Sequence, residues 1–194
     1  KEFKKLPIII GGINRKDSIA AKSFWRRVIG NKSLIMNSVE EAEFVKLANN
    51  SWIDLNIALS NDLARLADSL GFEIDILEVI KAANSLKKGA SYVNMLTPSS
   101  GVGGYCLTKD PWFLHTLGRQ NNLNLNTIKS GRVSNDIMPK FSSQKIEEFF
   151  KKNKLNIQKA KIAILGLSFK SDTGDIRFSP VIPFVKYLKK IGFK

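Results

Sequence analysis

The segment Gly101-Val102-Gly103-Gly104-Tyr105-Cys106-Leu107-Thr108-Lys109-Asp110 carries the densest chemical signal in the chain. Its three glycines leave the backbone free to approach a ligand closely. The single cysteine of the sequence follows them directly. A helix start comes within about a turn, and its positive end favours an anionic nucleophile. Lys109 adds positive charge, and Asp110, one helical turn after Cys106, can orient a water or take a proton. Together these parts describe an activated thiol in a ligand loop. By spacing alone, a buried structural cysteine beside a glycine turn fits equally well.

Two further groups stand out. Lys46 and Asn50 are spaced i,i+4 in a helical pattern and share a face. A lysine on a largely apolar stripe is either a catalytic cation or a side chain reaching out to water. Ser168-Phe169-Lys170-Ser171-Asp172-Thr173-Gly174-Asp175-Ile176-Arg177 follows an apolar run and precedes a helix, where α/β sheets bind ligands. Lys170 and Arg177 suit phosphate there; a polar surface loop is the other reading. The cluster Gly101, Gly103 and Gly104 is no dinucleotide fingerprint, since it lacks the preceding strand and the spacing. No cofactor-binding βαβ unit is expected in the chain.

Several elements must position these residues. Leu6 to Ile10 reads as a buried strand ending in Gly11-Gly12. Asp17 or Ser18 caps a helix running to about Ile29, and Ser33 to Met36 reads as another strand. Ser38 and Glu41 form a capping box that opens a helix lasting to Leu70, about 33 residues and long for a globular protein. Its apolar residues, among them Val45, Trp52, Leu59 and Leu66, go well round the circumference, which predicts that a second subunit covers part of it. A shorter helix follows from Asp75 to Asn84. The stretch from Ser85 to Tyr105 reads as a long functional loop. Pro111 opens the next helix, capped by Lys109-Asp110. More helix runs from about Asn126 to Lys152, jogged at Pro139. Lys161 to Leu165 reads as a buried strand, then a polar loop, then a helix from Pro180 to about Ile191. The predicted fold is mainly α with flanking α/β pieces. Residues 1–36 are the tail of one Rossmann-like domain, 37–155 a central helical domain, and 156–194 the start of another α/β domain.

Composition bounds the function. The chain has 194 residues, a net charge of +14 and an apolar share of 43%, enough for a packed core. Its lysines are scattered, and the clusters at Lys1–Lys5, Lys151–Lys154 and Lys186–Lys194 lack the aromatic interleaving of a single-strand binder, so no nucleic-acid partner is expected. One cysteine and one histidine allow neither an internal disulfide nor a Cys/His metal cluster. No apolar stretch approaches a membrane span, and Leu6 to Ile10 is too short for a signal peptide; the expected place is the cytoplasm. Both ends of the sequence read as cuts.

The motifs Gly-Val-Gly-Gly-Tyr-Cys-x-x-Lys-Asp and Leu-Ser-Phe-Lys-x-Asp-Thr-Gly-Asp-x-Arg, with Glu43-Phe-Val-Lys46 and Asn50 before them, resemble the UDP-glucose/GDP-mannose dehydrogenase family. The resemblance runs from about Ile8 to the end. It implies a two-step oxidation of a nucleotide-sugar C6 alcohol to a carboxylate with NAD as cofactor. It implies that Cys106 is the nucleophile, Lys46 an acid/base that steadies the oxyanion, Asn50 a substrate-orienting residue, and Asp110 an aid to proton transfer and to the hydrolytic water. Thr97, Gly101, Val102 and Gly103 would wrap the substrate. Phe169 and Lys170 would contact it from the third domain, and Lys109 and Arg177 would reach NAD. The helix 38–70 would form a homodimer core. The flanks Tyr92-Val-Asn-Met-Leu and Asp110-Pro-Trp-Phe look most like the branch that oxidises UDP-N-acetylmannosamine. The chain departs from that branch at Ile53, Ala90 and Tyr92, where Arg, His and Arg are common. Another UDP- or GDP-sugar is the alternative substrate. A piece without the main NAD domain is expected to dimerise without being active.

Overall fold

The computed structural model describes residues 6–194; the Lys1–Lys5 cluster lies outside the described residues. The chain forms two compact units, Lys1–Asn49 and Asn50–Lys194.

In the first unit, β1 (Ile8–Ile10) and β2 (Ser33–Ile35) pair in parallel, Ile9 opposite Leu34, and α1 (Arg15–Val28) makes the connection. The expected strand, helix and strand thus form a βαβ crossover. The loop after β1 still carries no dinucleotide fingerprint. Gly11 is needed for packing, because a Cβ there would lie 2.2 Å from the Ser38 carbonyl oxygen. The α1 cap is corrected. Asn14 accepts from the Asp17 amide, with its own amide group on the Asp17 carboxylate. Asn14 has the extended backbone that a cap needs, whereas Asp17 and Ser18 are already helical. The expected buried strand is buried only at Ile10.

The long helix α2 spans Val39–Ser69, as the uninterrupted run predicts. Its capping box is shifted by one partner. Ser38 Oγ accepts from the Glu41 amide at 3.1 Å, but the Glu41 carboxylate accepts from the Asn37 amide at 2.7 Å instead of that of Ser38. From Asn50 onward α2 belongs to the second unit.

The second unit continues with α3 (Ile76–Asn84), β3 (Lys87–Lys88), β4 (Ser91–Tyr92), α4 (Asp110–Gln120), α5 (Asn126–Asp136), α6 (Met138–Lys152) and α7 (Val181–Ile191). Asp75 caps α3 through two backbone amides. The stretch after α3 is not structureless, since β3 and β4 form a small antiparallel hairpin whose turn places Gly89 at φ 60°. Helix α4 starts at Asp110, one residue earlier than expected, and Lys109 offers no capping side chain. The Asp110 carboxylate is used elsewhere, as described below. The break between α5 and α6 falls at Ile137, and Pro139 sits in the first turn of α6, where its missing N–H costs no helical hydrogen bond.

The segment Lys161–Leu165 is not a strand, and Leu165 is 95% exposed. Among the described residues no strand pairs with it, and an apolar run becomes a buried strand only with neighbours and a covering layer. One end is tied down, where the Ile162 amide donates to the Lys194 carbonyl. Beyond it, α7 packs on α6, with Phe193 set edge-on to Phe150 at 4.9 Å. The helix ends at Gly192, φ 112°, the left-handed stop that glycine adopts without strain. No described helix is long and apolar enough to cross a membrane.

Candidate active site

Cys106 is exposed, so the reading of it as a buried structural cysteine does not hold. Its carbonyl accepts from the Lys109 amide at 3.1 Å and the Asp110 amide at 2.8 Å. Thr108 Oγ1 donates to the Gly104 carbonyl at 2.8 Å. These bonds wind residues 104–109 into turns that lead into α4, so Cys106 stands at the entrance of a helix.

Cys106 opens onto a cavity of about 570 Å³. Thr97, Gly101, Val102, Gly103, Phe169, Lys170 and Arg177 line the same cavity. The structure thus gathers eight of the residues singled out in the sequence, from two separate segments, 97–106 and 169–177. The loop 168–177 is not a detached polar surface loop. Val102 is buried at the cavity wall, and Phe169 is 37% exposed there.

The glycines have close partners within the chain. A Cβ on Gly103 would lie 2.6 Å from Phe169 Cβ and from Pro180 Cδ, and one on Gly104 would lie 2.7 Å from the Phe169 ring. What approaches this backbone closely is Phe169 and Pro180 of the chain itself. Gly104 also has φ 89°, strained for any other residue. The glycines therefore seat the loop 168–177 against the turn that carries Cys106.

Asn50 and Asp110 meet directly, Asn50 Nδ2 donating to Asp110 Oδ2 at 2.5 Å. Lys109 Nζ donates to the other oxygen, Oδ1, at 2.7 Å. Both residues are 4% exposed, and neither lines the 570 Å³ cavity. The Asp110 hydrogen bond raises the Lys109 pKa above its ordinary value. Lys109 Nζ also lies 4.4 Å from the Phe113 ring and 5.2 Å from the Tyr105 ring. Arg177 stands over that same Tyr105 ring at 5.6 Å and pairs with Asp175 at 2.7 Å. Arg177 in turn holds the Asp175 carboxyl at a pKa of about 2. Lys109 faces a second cavity, of about 670 Å³, which shares Gly101 and Val102 with the first. Lys46 is exposed and lies in the first unit, one turn before Asn50 along α2.

The sequence reading missed a buried polar network. Asp54 Oδ1 accepts from Arg132 Nη1 at 2.5 Å and from Asn135 Nδ2 at 2.8 Å. Arg132 also pairs with Asp136. Asn61 donates to Asn135, and the Ser99 amide donates to Asn61. Burial outweighs the attraction of Arg132 and raises the Asp54 pKa. A signal for this network existed. Asn50, Asp54 and Asn61 recur at helical spacing, a polar stripe as regular as an apolar one. Among the described residues no group of His, Cys, Asp and Glu is placed to hold a metal.

Comparison with known proteins agrees with this geometry. The sequence profile of the UDP-glucose/GDP-mannose dehydrogenase family, central domain, matches residues 40–137. The chain is 37% identical, over 192 residues, to the UDP-N-acetyl-D-mannosamine dehydrogenase of Methanococcus maripaludis, covering 99% of this chain and 42% of that protein. It is 41% identical to the Campylobacter jejuni protein of the same name, covering 91% of this chain and 40% of that one. The solved structure of the UDP-D-ManNAc dehydrogenase from Pyrococcus horikoshii superposes with a TM-score of 0.82 at 34% identity, over 97% of this chain and 43% of that chain. The chain thus spans about two-fifths of the length of these relatives. With a fold and a motif set that agree throughout its length, the chain belongs to the UDP-glucose/GDP-mannose dehydrogenase family.

Proposed function

We propose that the complete protein oxidises the C6 hydroxyl of a nucleotide sugar, UDP-N-acetylmannosamine, to a carboxylate in two NAD-dependent steps. The exposed Cys106 in a cavity shared with Phe169, Lys170 and Arg177 carries this reading. The relatives at 37% and 41% identity, both UDP-N-acetyl-D-mannosamine dehydrogenases by name, support the choice of sugar.

Two cations stand on the Tyr105 ring beside Cys106, Lys109 and Arg177. Such a pair suits the diphosphate of a dinucleotide, and these two residues would hold it. Bound NAD supplies the hydride acceptor, one equivalent for each oxidation.

The chain's own residues do the rest. Lys46, assigned by its place in Glu43-Phe-Val-Lys46, acts as acid/base for the C6 hydroxyl proton. The Cys106 thiolate adds to the C6 aldehyde, forming a C–S bond and an oxyanion that takes up a proton. Loss of the second hydride and of that proton leaves a Cys106 thioester. Water then adds to the thioester carbonyl, the C–S bond breaks, and carboxylate and free thiol remain. Asp110, bonded to Asn50 at 2.5 Å, assists proton transfer and this water, and Asn50 orients the substrate. Thr97 and the backbone of 101–103 hold the sugar nucleotide against Phe169 and Lys170.

A homodimer through α2 belongs to the same proposal. Trp52, Leu59 and Leu66 are 48%, 53% and 53% exposed and lie seven residues apart, the spacing of a helix–helix seam.

NADH formation by the complete protein tests the reaction, with UDP-N-acetylmannosamine, UDP-N-acetylglucosamine, UDP-glucose and GDP-mannose offered in turn. Two NADH per UDP-N-acetylmannosamine are expected. Cys106→Ser is expected to lower kcat by on the order of 10³-fold or more. Substantial acid formation by that variant would sink the assignment.

A further inference from the structure

We propose that Asn61 is a positioning residue for the substrate-side segment 94–99, with its orientation dictated by a hydrogen-bond relay that starts at Asp54. The inference rests on the proposed dehydrogenase reading for its consequence in catalysis, though not for its geometry.

The relay has one polarity. Asn135 Nδ2 donates to Asp54 twice, to the carboxylate Oδ1 at 2.8 Å and to the main-chain carbonyl at 2.9 Å. Both atoms are acceptors only, so the Asn135 amide cannot be reversed. Its Oδ1 therefore turns to Asn61 and accepts from Nδ2 at 2.9 Å. That leaves Asn61 Oδ1 as the free end of the chain, and it accepts from the Ser99 amide at 2.8 Å. Flipping either amide would set donor against donor or acceptor against acceptor at a buried position. Asp54 and Asn61 are 0% exposed and Asn135 is 1% exposed.

The end of the relay touches the cavity wall. Leu96, Thr97 and Ser99 all line the Cys106 cavity. Nearby side chains of α2 hold the rest of the segment as a neighbouring strand would. Asn56 Oδ1 accepts from the Leu96 amide at 2.8 Å, and its Nδ2 donates to the Asn94 carbonyl at 2.7 Å. Ser60 Oγ donates to the Leu96 carbonyl at 2.5 Å. Asn84 on α3 brackets Met95 from both sides, accepting at 2.7 Å and donating at 2.9 Å. An irregular segment is thereby fixed to within a hydrogen bond, the precision that a substrate-positioning wall requires. Of these clips, only Asn61 is tied to the charged pair Asp54–Arg132.

The test uses the complete protein with Asn61→Leu, which removes both ends of the relay. Amide hydrogen exchange is read together with steady-state kinetics. The Ser99 amide is expected to lose at least about tenfold in protection while α5 amides stay within twofold. The KM for the sugar nucleotide is expected to rise about tenfold while the KM for NAD stays within twofold. Unchanged Ser99 exchange overturns the proposal. So does a uniform loss of protection with kcat and both KM values moving in parallel, which is the mark of a merely structural residue. Asn61→Ser is the milder variant should Asn61→Leu not fold, with a threefold or greater loss at Ser99 expected and no loss overturning it. A folded wild type that oxidises none of the sugars would remove the dehydrogenase reading alone, and the exchange data would still decide the relay.

Discussion

Helix α2 has two faces of opposite character, and they are reversed from the usual arrangement. The face turned into the second unit is polar, with Asn50, Ser51, Asp54, Ser60 and Asn61 all buried beside Ala58. The other carries Trp52, Leu59 and Leu66 in a row, each about half exposed. An amphipathic helix normally buries its apolar stripe because water rejects it. Here four of the five buried polar side chains have hydrogen-bonding partners, Asn50 in Asp110, Asp54 in Arg132 and Asn135, and Ser60 and Asn61 in the 94–99 segment, while the small Ser51 hydroxyl is buried without one. The difference teaches that burial on this helix follows available partners as much as hydrophobicity. The inner face is tied to the 94–99 segment and to Asp110, and the outer face is the one proposed above to meet a second subunit.

The inner face is the more costly to disturb. Arg132 and Asp54 are each about fully buried, so Arg132→Leu leaves a carboxylate in the interior without its cation. A loss of about 3–5 kcal/mol is expected, read from urea unfolding. A loss below about 1 kcal/mol would mean that the pair contributes little and that the comparison overstates the inner face.

The outer face is expected to behave in the opposite way. Leu59→Glu combined with Leu66→Glu should convert a dimer to a monomer by light scattering. Both side chains are half exposed in the protomer, so a stability change of only about 0.5 kcal/mol is expected in the monomer. A dimer that survives both charges would place the subunit contact elsewhere.

The smallest effect concerns pH. Burial raises the Asp54 pKa above the ordinary 3.8. Between the unfolded value and the raised folded value, the folded chain binds more protons than the unfolded chain. Asp54's contribution to stability is therefore fully present below the unfolded value and is lost as pH rises through the folded value. The stability difference between wild type and Asp54→Asn should change with pH across that window and level off beyond it. A difference independent of pH would show that Arg132 compensates the burial of Asp54 completely.

Much of the fold was legible residue by residue. The run from Val39 to Ser69 has no proline or glycine and behaves as one helix. Asp75, the break ahead of Pro139 and the stop at Gly192 also act as local chemistry predicts. Caps were less legible, because Asn14, Asp17 and Ser18 can each cap and only the backbone direction at Asn14 decides among them. Lys161–Leu165 was misread because its strand-like pattern holds no information on whether partner strands stand beside it.

The sequence by itself determined the residue types offered to the site, one thiol after three glycines and a loop at 168–177 that carries Lys170 and Arg177, and the family those motifs mark. Such features are local, and spacing along the chain expresses them. Tertiary structure decided which residues share a cavity, that Gly103 and Gly104 make room for Phe169 and Pro180, and that the polar side of α2 faces inward. These are contacts between segments distant in sequence, 78 residues apart for Arg132 and Asp54. Their energies depend on desolvation and on mutual hydrogen-bond satisfaction, which exist only once the chain has folded.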